Sequence, residues 1–405
     1  MPQYKPTQVL RGRCIGLSEA KLTLRNQAGI HEVPLPHPGC EIGDIVEIQG
    51  ESNSLRVLTP NRTSSKTLKW MNRVLDPRRL HAVSTRARVE AAIREFFNSR
   101  DFIETRTPLL VPSPGMEPHI RPFRIADHAS YLPTSPEFAM KRLLAGGLER
   151  IFQICPAFRD EPPSITHSPE FTMLEWYRAY AGYEEIMQDT EALFESVAIR
   201  LFGEPALSWQ GGGNGRKISV AAPWPRLRVR DLFRDIAGID LVACASAADL
   251  ARECKRLGLA CDLAREDWDD LYFKIWLNLI EPKLPQDRAV FVTRYPASQA
   301  ALAVIDSDPD GSRWARRFEA YAGGLELGNA FEELTDPAEQ RRRFEKDMQL
   351  RARVYGPDFP PTPIDEGFIS ALSEGIPPSG GIAVGVDRMV MLFANEPEIE
   401  KTFWL

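Results

Sequence analysis

The sequence lacks the features of a membrane or secreted protein. No apolar run in its 405 residues approaches the roughly 20 residues needed to span a bilayer, and no basic segment followed by an apolar stretch stands near Met1. Its six cysteines include no Cys-x-x-Cys pair and no histidine at zinc-ligand spacing. We therefore expect reduced thiols and a cytoplasmic protein with no membrane association.

An excess of basic residues is also missing. The chain has 50 Lys and Arg against 56 Asp and Glu, a net charge of -6. The chain as a whole thus lacks the net positive charge that is typical of a nucleic-acid-binding protein, although a local basic patch is compatible with this balance. Hydrophobic and charged contents of 43% and 26% are ordinary for a globular enzyme. The length allows one large domain and a small one.

The N-terminal region has no aromatic residue between residue 5 and residue 69. Five short segments there have the alternation and turn signals of β-strands, which predicts a small OB-like β-barrel over residues 1–67. The segments are QVLRGRCIG, KLTLRN, HEVPL, DIVEIQG and SLRVL. OB folds that read single-stranded RNA stack bases on aromatic rings, worth ~1–3 kcal/mol each. A structural or protein-docking role is therefore favoured over recognition of single-stranded RNA. The local basic excess of about +3 is still compatible with contacts to a phosphate backbone.

A helix and a Pro-bearing strand are expected next. Ser84 is a candidate N-cap, and Val89 and Ile93 begin a helical spacing of apolar residues. In the segment FIETRTPLLVPSPG that follows, Pro108 and Pro112 would confine a strand to an edge or an interface.

The stretch Phe158–Tyr180 has the pattern of an antiparallel hairpin over an anionic ligand. Arg159 ends the first strand, where its planar fork of donors can hold a phosphate, and Glu161 can accept from an exocyclic amine. An aromatic ring opens the second strand, on which Glu175 and Tyr177 point to one face. The alternative is an exposed hairpin whose charges are solvated.

The segment Thr134–Glu137, TSPE, directly precedes a helix predicted from Phe138 to Ala145. Taken alone it indicates a cap, with Ser135 as the N-cap and Glu137 near the positive end of the helix dipole.

Two carboxylates flank a glycine turn in the C-terminal third. A hairpin through Gly323 and Gly324 would place Glu319 and Glu326 on neighbouring strands, where they repel unless a cation joins them. Mg²⁺ bound to ATP phosphates is the natural candidate. Further along the second strand, alternate residues point to one face of the sheet. These are Asn329, Phe331 and Glu333. The alternative is an acidic strand that is fully exposed to solvent. The apolar residues next to these carboxylates argue against such exposure.

The segment 379–395, SGGIAVGVDRMVMLFAN, has the pattern of a glycine-rich strand that enters a helix. Small residues let a backbone approach a nucleotide, and Arg388 near the helix start can hold a triphosphate.

Three of these segments, in this order, resemble motifs of the class II aminoacyl-tRNA synthetases. The helix with its Pro-bearing strand resembles motif 1, FRDEPPSITHSPEFTMLEWYRAY resembles motif 2, and GVDR with its glycine strand resembles motif 3. Over about residues 68–396 the sequence is most similar to the lysyl type, in particular to the elongation factor P–(R)-β-lysine ligase family. The resemblance implies an α+β fold: an antiparallel-sheet class II catalytic domain over 68–405, with a helical insertion at about 226–290, after the OB-like barrel.

The resemblance also implies roles for individual residues. The ATP-binding residues would be Arg159, Asp160, Glu161, His167, Ser168, Phe171, Glu326, Leu327, Gly385 and Arg388. The amino-acid pocket would comprise Ser135, Pro136, Glu137, Glu175, Tyr177, Asn329, Glu333 and Ala383. Glu319 and Glu326 would hold the metal, and the catalytic residues would be Arg159, Glu319, Glu326 and Arg388.

The implied reaction is activation of lysine or (R)-β-lysine with ATP and Mg²⁺, followed by transfer to a lysine side chain of elongation factor P. A homodimer is implied as well. Asp160 and Ser168 stand where the family usually has Asn, and Ala383 stands where lysyl-tRNA synthetases typically have Gly. Its methyl group would reshape the pocket floor. A lysine–tRNA ligase with a reduced anticodon-binding domain and a non-catalytic regulator are the alternatives.

Overall fold

The structure of the protein is a computed structural model, which describes residues 9–36, 38–49, 54–63, 68–126, 128–211, 213, 215–356 and 362–405. The chain forms two compact units, one of residues 1–80 with 404–405 and the other of residues 81–403. The expected boundary between residues 67 and 68 lies at the edge of a stretch, 64–67, outside the described residues.

The first unit contains an antiparallel sheet in the strand order β3-β2-β1-β4-β5. The strands are β1 Leu10–Leu17, β2 Lys21–Asn26, β3 Gly29–Pro34, β4 Ile45–Gln49 and β5 Ser54–Thr59. All five expected strands are confirmed, and their alternating side chains bury a small core around Leu22, Leu24 and Val46. Among the described residues no pairing joins β3 to β5, so the sheet matches an OB-like arrangement but is an open ladder, not a closed barrel.

Helix α1 is Lys69–Val74, and helix α2, Pro77–Asn98, begins well before the expected cap at Ser84. Asp76 Oδ1 accepts a hydrogen bond from the Arg78 amide at 3.0 Å, and Pro77 occupies the first helical position. An Asp-Pro pair of this kind starts a helix efficiently, because proline has no amide that needs a partner there. The expected Pro-bearing strand is confirmed as an edge strand but is shorter than predicted: β6 covers only Ile103–Glu104 and ends before both prolines.

The second unit is built on a nine-stranded, mainly antiparallel sheet in the order β11-β12-β14-β15-β16-β8-β7-β6, with β13 paired to β14. The pairs β11·β12 and β6·β7 are parallel. The strands beyond β6 are β7 Arg150–Phe158, β8 Glu170–Ala179, β11 Arg226–Arg228, β12 Val290–Pro296, β13 Ile305–Ser307, β14 Arg313–Ala322, β15 Leu325–Glu332 and β16 Ser379–Gly385. A separate pair is β9 Ala206–Trp209 with β10 Arg216–Ser219.

The described helices pack against a mainly antiparallel sheet, which is consistent with the expected α+β class. They are α3 Glu137–Ala145, α4 Tyr183–Phe202, α5 Val229–Leu232, α6 Ala247–Arg256, α7 Trp268–Ile275, α8 Pro337–Tyr355, α9 Glu366–Glu374 and α10 Val386–Ala394. Shorter π or 3₁₀ turns are Phe233–Ala237, Trp276–Ile280, Glu281–Lys283, Ala297–Gln299 and Ile399–Thr402. No helix among the described residues is long and apolar enough to cross a membrane.

One face of the large sheet is covered by α2, α4 and α10. Trp176 on β8, Ile382 on β16 and Ala330 on β15 belong to the apolar core beneath these helices. Because side chains alternate along a strand, the neighbours Glu175 and Ala383 point to the opposite face. That opposite face is where the polar residues collect.

Candidate active site

Two hairpins position the acidic and basic groups. Strands β7 and β8 pair from Arg150 opposite Arg178 to Phe158 opposite Glu170, which confirms the hairpin expected around Arg159. Strands β14 and β15 turn through two glycines with φ of 60° and 82°, a conformation that side chains disfavour. This second hairpin is also confirmed, with Glu319 directly opposite Asn329 and Tyr321 opposite Glu326.

A cavity of about 470 Å³ lies on the polar face of the sheet, a size typical of small-molecule sites. The expected site residues that line it are Ser135, Glu137, Arg159, Glu161, His167, Ser168, Phe171, Glu175, Tyr177, Glu326, Leu327, Asn329, Glu333, Ala383, Gly385 and Arg388. Three do not line it: Pro136 precedes α3, Asp160 pairs with Arg121 at 2.8 Å, and Glu319 is buried behind the wall.

One end of the cavity is organised by Lys141, which the sequence reasoning missed. This lysine is 1% exposed, and its Nζ lies 2.7 Å from Glu137 Oε1 and 2.5 Å from Glu333 Oε2. It stands one helical turn after Glu137 on α3, whereas Glu333 comes from the end of β15. The only available signal was the i, i+4 spacing of Glu137 and Lys141, which is as typical of a solvent-exposed helix.

The same end holds more acidic than basic side chains. Glu175 is buried and accepts a hydrogen bond from the Tyr177 hydroxyl at 3.1 Å. Burial first, and then the charge of Glu137, raises the pKa of Glu175 well above its ordinary value. Burial raises the pKa of Glu333 to about 8, although Lys141 opposes this shift. One buried ammonium is thus shared among three carboxylates, and a cationic ligand would stabilise their ionised forms.

The floor of this pocket depends on two residues of β16. Ala383 lies between Glu175 and Asn329 in the sheet register. Two residues earlier on the same face, a side chain at Gly381 would meet the Tyr177 ring at 2.3 Å and Glu333 Oε1 at 2.7 Å. Only a glycine leaves room for that ring, so strand β16 sets the depth of the pocket.

The other end of the cavity holds arginines and a ring. Arg159 lies over the Phe171 ring, 5.1 Å from its centroid. Arg388, at the start of α10, donates to the Glu326 backbone carbonyl at 2.8 Å and contacts His167 Nε2 at 2.7 Å. Burial, and then the charge of Arg388, lowers the pKa of His167, so that a neutral imidazole accepts this bond. Guanidinium groups beside an aromatic ring suit a nucleotide triphosphate.

The two expected metal ligands differ in their surroundings. Glu319 accepts hydrogen bonds from Arg317 Nη2 at 2.6 Å and from the hydroxyls of Tyr295 and Tyr321 at 2.6 and 2.7 Å. The Glu326 carboxylate accepts no hydrogen bond from the described residues, and Arg388 lies 3.7 Å from it. Burial and the nearby Glu319 raise the pKa of Glu326 to about 7.

Of these two carboxylates, Glu326 fits a Mg²⁺ ion that is held mainly by ATP, whereas Glu319 does not line the cavity and is already bound by Arg317 and two tyrosines. Within the described part of the chain no three His, Cys, Asp or Glu side chains converge as a metal cluster. Mg²⁺ in nucleotide sites is typically bound by one or two carboxylates together with substrate phosphates. A cation at Glu326 would also relieve the repulsion that raises its pKa.

Two further arginines were not predicted. Arg317 connects two sides of the cavity. In addition to its bond to Glu319, it donates to Asn329 Oδ1 at 3.0 Å and to the Gln299 carbonyl at 2.9 Å. Arg86 of α2 pairs with Asp387 of α10, whose other oxygen accepts from the Thr172 amide at 2.6 Å. Apart from Glu319, these partners of the two arginines lie 12 or more residues away in the sequence, so no local pattern predicts the contacts.

The arrangement of these elements, with the Arg159 hairpin beside the strand and helix of Arg388 on one antiparallel sheet, is that of a class II aminoacyl-tRNA synthetase catalytic domain. Comparison with known families gives the narrower assignment. The chain belongs to the family of class II tRNA synthetases of the D, K and N types, whose model matches residues 65–404.

Individual relatives carry two different names. A lysine–tRNA ligase of Dehalococcoides mccartyi (strain BAV1) is 37% identical over 320 residues, which cover 78% of this chain and 62% of that protein. A lysine–tRNA ligase of Pelotomaculum thermopropionicum is 34% identical, covering 89% and 74%. An elongation factor P–(R)-beta-lysine ligase of Haemophilus ducreyi is 37% identical over 324 residues, covering 78% of this chain and 90% of that protein. The chain thus spans less than two thirds of the first of these relatives.

Proposed function

We propose that the protein is an AMP-forming ligase that activates lysine or (R)-β-lysine with ATP and transfers the acyl group to a lysine side chain of elongation factor P. The observation that carries the proposal is the charge of the cavity. Its inner end has three carboxylates around one buried ammonium, and its outer end has two arginines beside an aromatic ring. A diamino acid and a nucleotide triphosphate are the complementary ligands.

Each end of the cavity has a separate task in this reaction. Glu175 and Glu333 bind the substrate ammonium groups and so orient its carboxylate toward the phosphates. That carboxylate attacks the α-phosphorus in line, a P–O bond to pyrophosphate breaks, and Arg159 stabilises the charge that develops on the phosphoryl oxygens. Mg²⁺, when bound with ATP at Glu326, would neutralise the leaving pyrophosphate.

Three observations favour a protein acceptor. The alignment with the elongation factor P ligase covers 90% of that relative. The N-terminal sheet presents no aromatic ring for base stacking. The loop of residues 160–169 has no Lys or Arg with which to grip a nucleic acid.

The basic residues of that sheet are also largely engaged within it. Arg11 and Arg56 both pair with Glu47, at 2.7 and 3.1 Å, and Lys21 pairs with Glu32 at 2.7 Å. Arg13 donates to a backbone carbonyl at 2.7 Å. These contacts reduce the charge available to a phosphate backbone. They support protein docking as the role of this unit.

Lysine–tRNA ligase activity is the second candidate, because most of the similar proteins above carry that name and the cavity fits lysine in both cases. The two candidates differ only in the acceptor. The test is acyl transfer with ATP and either labelled lysine isomer, with purified elongation factor P and total tRNA offered in parallel.

Label on elongation factor P, with β-lysine preferred, is the expected result. Label on tRNA would establish the second candidate. Absence of any amino-acid-dependent ATP–pyrophosphate exchange would refute both. The variant Glu175→Gln serves as a control, because it should lower exchange with either isomer whichever acceptor is used.

A further inference from the structure

The cavity extends beyond the residues assigned above to ATP and the amino acid. It continues into a recess between the segment 116–120 and helix α8. Gln340, Phe344 and Asp347 line the recess from α8, at a spacing that places them on one face of the helix. Glu117 lines it from the opposite side. None of these groups has a role in the function proposed so far.

Polar atoms in this recess lack partners. Gln340 is 1% exposed, yet neither its Nε2 nor its Oε1 has a hydrogen-bond partner among the described residues. The same holds for Glu117 Oε2. A buried polar group without a partner costs ~1–3 kcal/mol. Several such atoms around one space indicate that a polar ligand enters it.

The recess is acidic, and its carboxylates are not neutralised by ion pairs. Neither Glu117 nor Asp347 forms a salt bridge with any residue that the structure describes. Arg351 is the nearest buried guanidinium, but its Nη2 donates to the backbone carbonyl of Glu117 at 2.6 Å, and its Nη1 donates to the Thr362 hydroxyl. The ligand that complements this recess is therefore a cation.

The other basic groups near Asp347 are also engaged or exposed. Arg343 donates to the carbonyls of Ala301 and Ala303, both at 2.8 Å, and pairs with Glu339 at 2.8 Å. Lys346, the neighbour of Asp347 on α8, also lines the cavity, but its side chain is exposed to solvent and forms no ion pair with the described residues. Burial, and then the charge of Glu117, raises the pKa of Asp347 to about 7, against the opposing charges of Lys346, Arg351 and Arg343.

The recess borders the place where the acyl adenylate would form. Burial, and then the charge of Glu137, raises the pKa of Glu117, while Arg159 lowers it. Glu137 belongs to the amino-acid pocket and Arg159 to the phosphate end. Glu117 lines the same cavity as these two residues, so the recess opens onto the space between the two ligands, where the activated carbonyl carbon would lie.

We propose that this recess receives the acceptor amine as a cationic lysine side chain, and that Asp347 takes the proton that the amine must lose before it attacks. Glu117 holds the ammonium group while it enters. The inference rests on the aminoacyl transfer proposed above and assigns residues to its second half-reaction.

The step balances without a further reactant. The acceptor ammonium gives one proton to the Asp347 carboxylate, and the free amine nitrogen forms a bond to the adenylate carbonyl carbon. The carbonyl–oxygen bond to AMP then breaks, and AMP leaves with the electron pair. The nitrogen loses its second proton to solvent as the amide forms, and Asp347 returns its own proton to solvent.

The test separates the two half-reactions in the whole 405-residue chain. Activation is measured as ATP–pyrophosphate exchange with lysine or β-lysine, and transfer as single-turnover acylation of elongation factor P. Asp347→Asn should leave exchange unchanged and slow transfer by about 100-fold, the usual contribution of a proton acceptor. The matched control is Glu345→Gln, which removes the same charge from an exposed position of α8.

The pH profile supplies a readout that a structural role would not change. Transfer by the wild type should rise with pH through about 7, where Asp347 loses its proton. Asp347→Asn should abolish this limb, and Asp347→Glu should restore it. Normal exchange with unaltered transfer in Asp347→Asn would overturn the inference alone, as would an equal loss of both activities. Absence of exchange in the wild type would overturn the proposed function first.

Discussion

Lys141 forms ion pairs with two carboxylates of the pocket, although its own ammonium group is buried and therefore not hydrated. It is buried between Glu137 and Glu333, and both charges raise its pKa against the effect of burial. Lys141→Met would leave these carboxylates without their cation. Removal of one partner of a buried pair costs ~3–5 kcal/mol, so we expect a loss of unfolding free energy of that order in urea titration.

The exposed Lys255, near the end of α6, provides the matched control for that variant. Lys255→Met makes the same chemical change where water still solvates the neighbours, so its unfolding free energy should stay near that of the wild type. Equal effects of the two substitutions would contradict the structural role of Lys141.

Glu333 should couple amino-acid binding to proton release. Its pKa of about 8 in the free protein means that it is mostly protonated at pH 7. A bound ammonium group lowers that pKa, so the carboxyl group releases its proton on binding, and affinity should rise as pH rises toward 8. Calorimetry of lysine binding in buffers of different ionisation enthalpy measures the protons released.

Two comparisons show whether Glu333 is the source of that proton. Glu333→Gln should remove the buffer dependence of the binding enthalpy. Norleucine, which lacks the side-chain ammonium, should release fewer protons than lysine. Equal proton release by lysine in Glu333→Gln and in the wild type would assign the proton to another group.

Glu326 should make the Mg²⁺ requirement depend on pH. Its pKa is raised to about 7, and only the ionised carboxylate binds the metal. The Mg²⁺ concentration that half-saturates ATP–pyrophosphate exchange should therefore increase as pH falls below 7. Glu326→Ala should abolish exchange while the circular dichroism spectrum stays unchanged. Normal exchange in this variant would disprove the metal assignment.

At the scale of elements, strand β16 lines the part of the cavity to which the proposed function assigns the amino acid. Gly381 has an ordinary strand conformation, so a substitution there acts through contact with the Tyr177 ring at 2.3 Å and not through backbone strain. Gly381→Ala should push this ring into the pocket, at a cost of ~1–3 kcal/mol. The KM for the amino acid should rise about 10-fold or more, whereas the KM for ATP should change little.

Gly39→Ala is the control for that experiment, since a side chain at Gly39 meets no atom within 4 Å. Its kinetic constants should match those of the wild type. A rise in the KM for ATP alone in Gly381→Ala would indicate that β16 shapes the nucleotide end instead.

At the scale of the molecule, the cavity belongs entirely to the second unit, since its described lining residues fall between Met116 and Ile399. A chain that lacks residues 1–63 should therefore retain ATP–pyrophosphate exchange. Its acylation of elongation factor P should fall if the first unit docks the acceptor. Loss of exchange in a truncated chain whose circular dichroism spectrum remains folded would show that the first unit supports the catalytic domain itself.

Much of this architecture follows from local sequence patterns. The five N-terminal strands, the Arg159 hairpin and the glycine turn before Glu326 each depend on alternation and turn chemistry within about ten residues. The start of α2 is not where the pattern predicts it, because Ser84 is an acceptable cap but the Asp76-Pro77 pair, further upstream, is a better one. Strand β6 lies at the edge of the sheet, as the prolines predict, but it ends at Glu104, before either of them.

The sequence by itself determined which side chains share a face, because the period of two along a strand is a local property of the backbone. It therefore placed Glu175 with Tyr177, and Asn329 with Glu333. Only the tertiary structure decided which of these groups are neutralised. Lys141 meets Glu333, and Arg86 meets Asp387, across elements that are adjacent only because of the strand order and helix packing. Burial and charge pairing depend on those distant neighbours, so no local pattern specifies them.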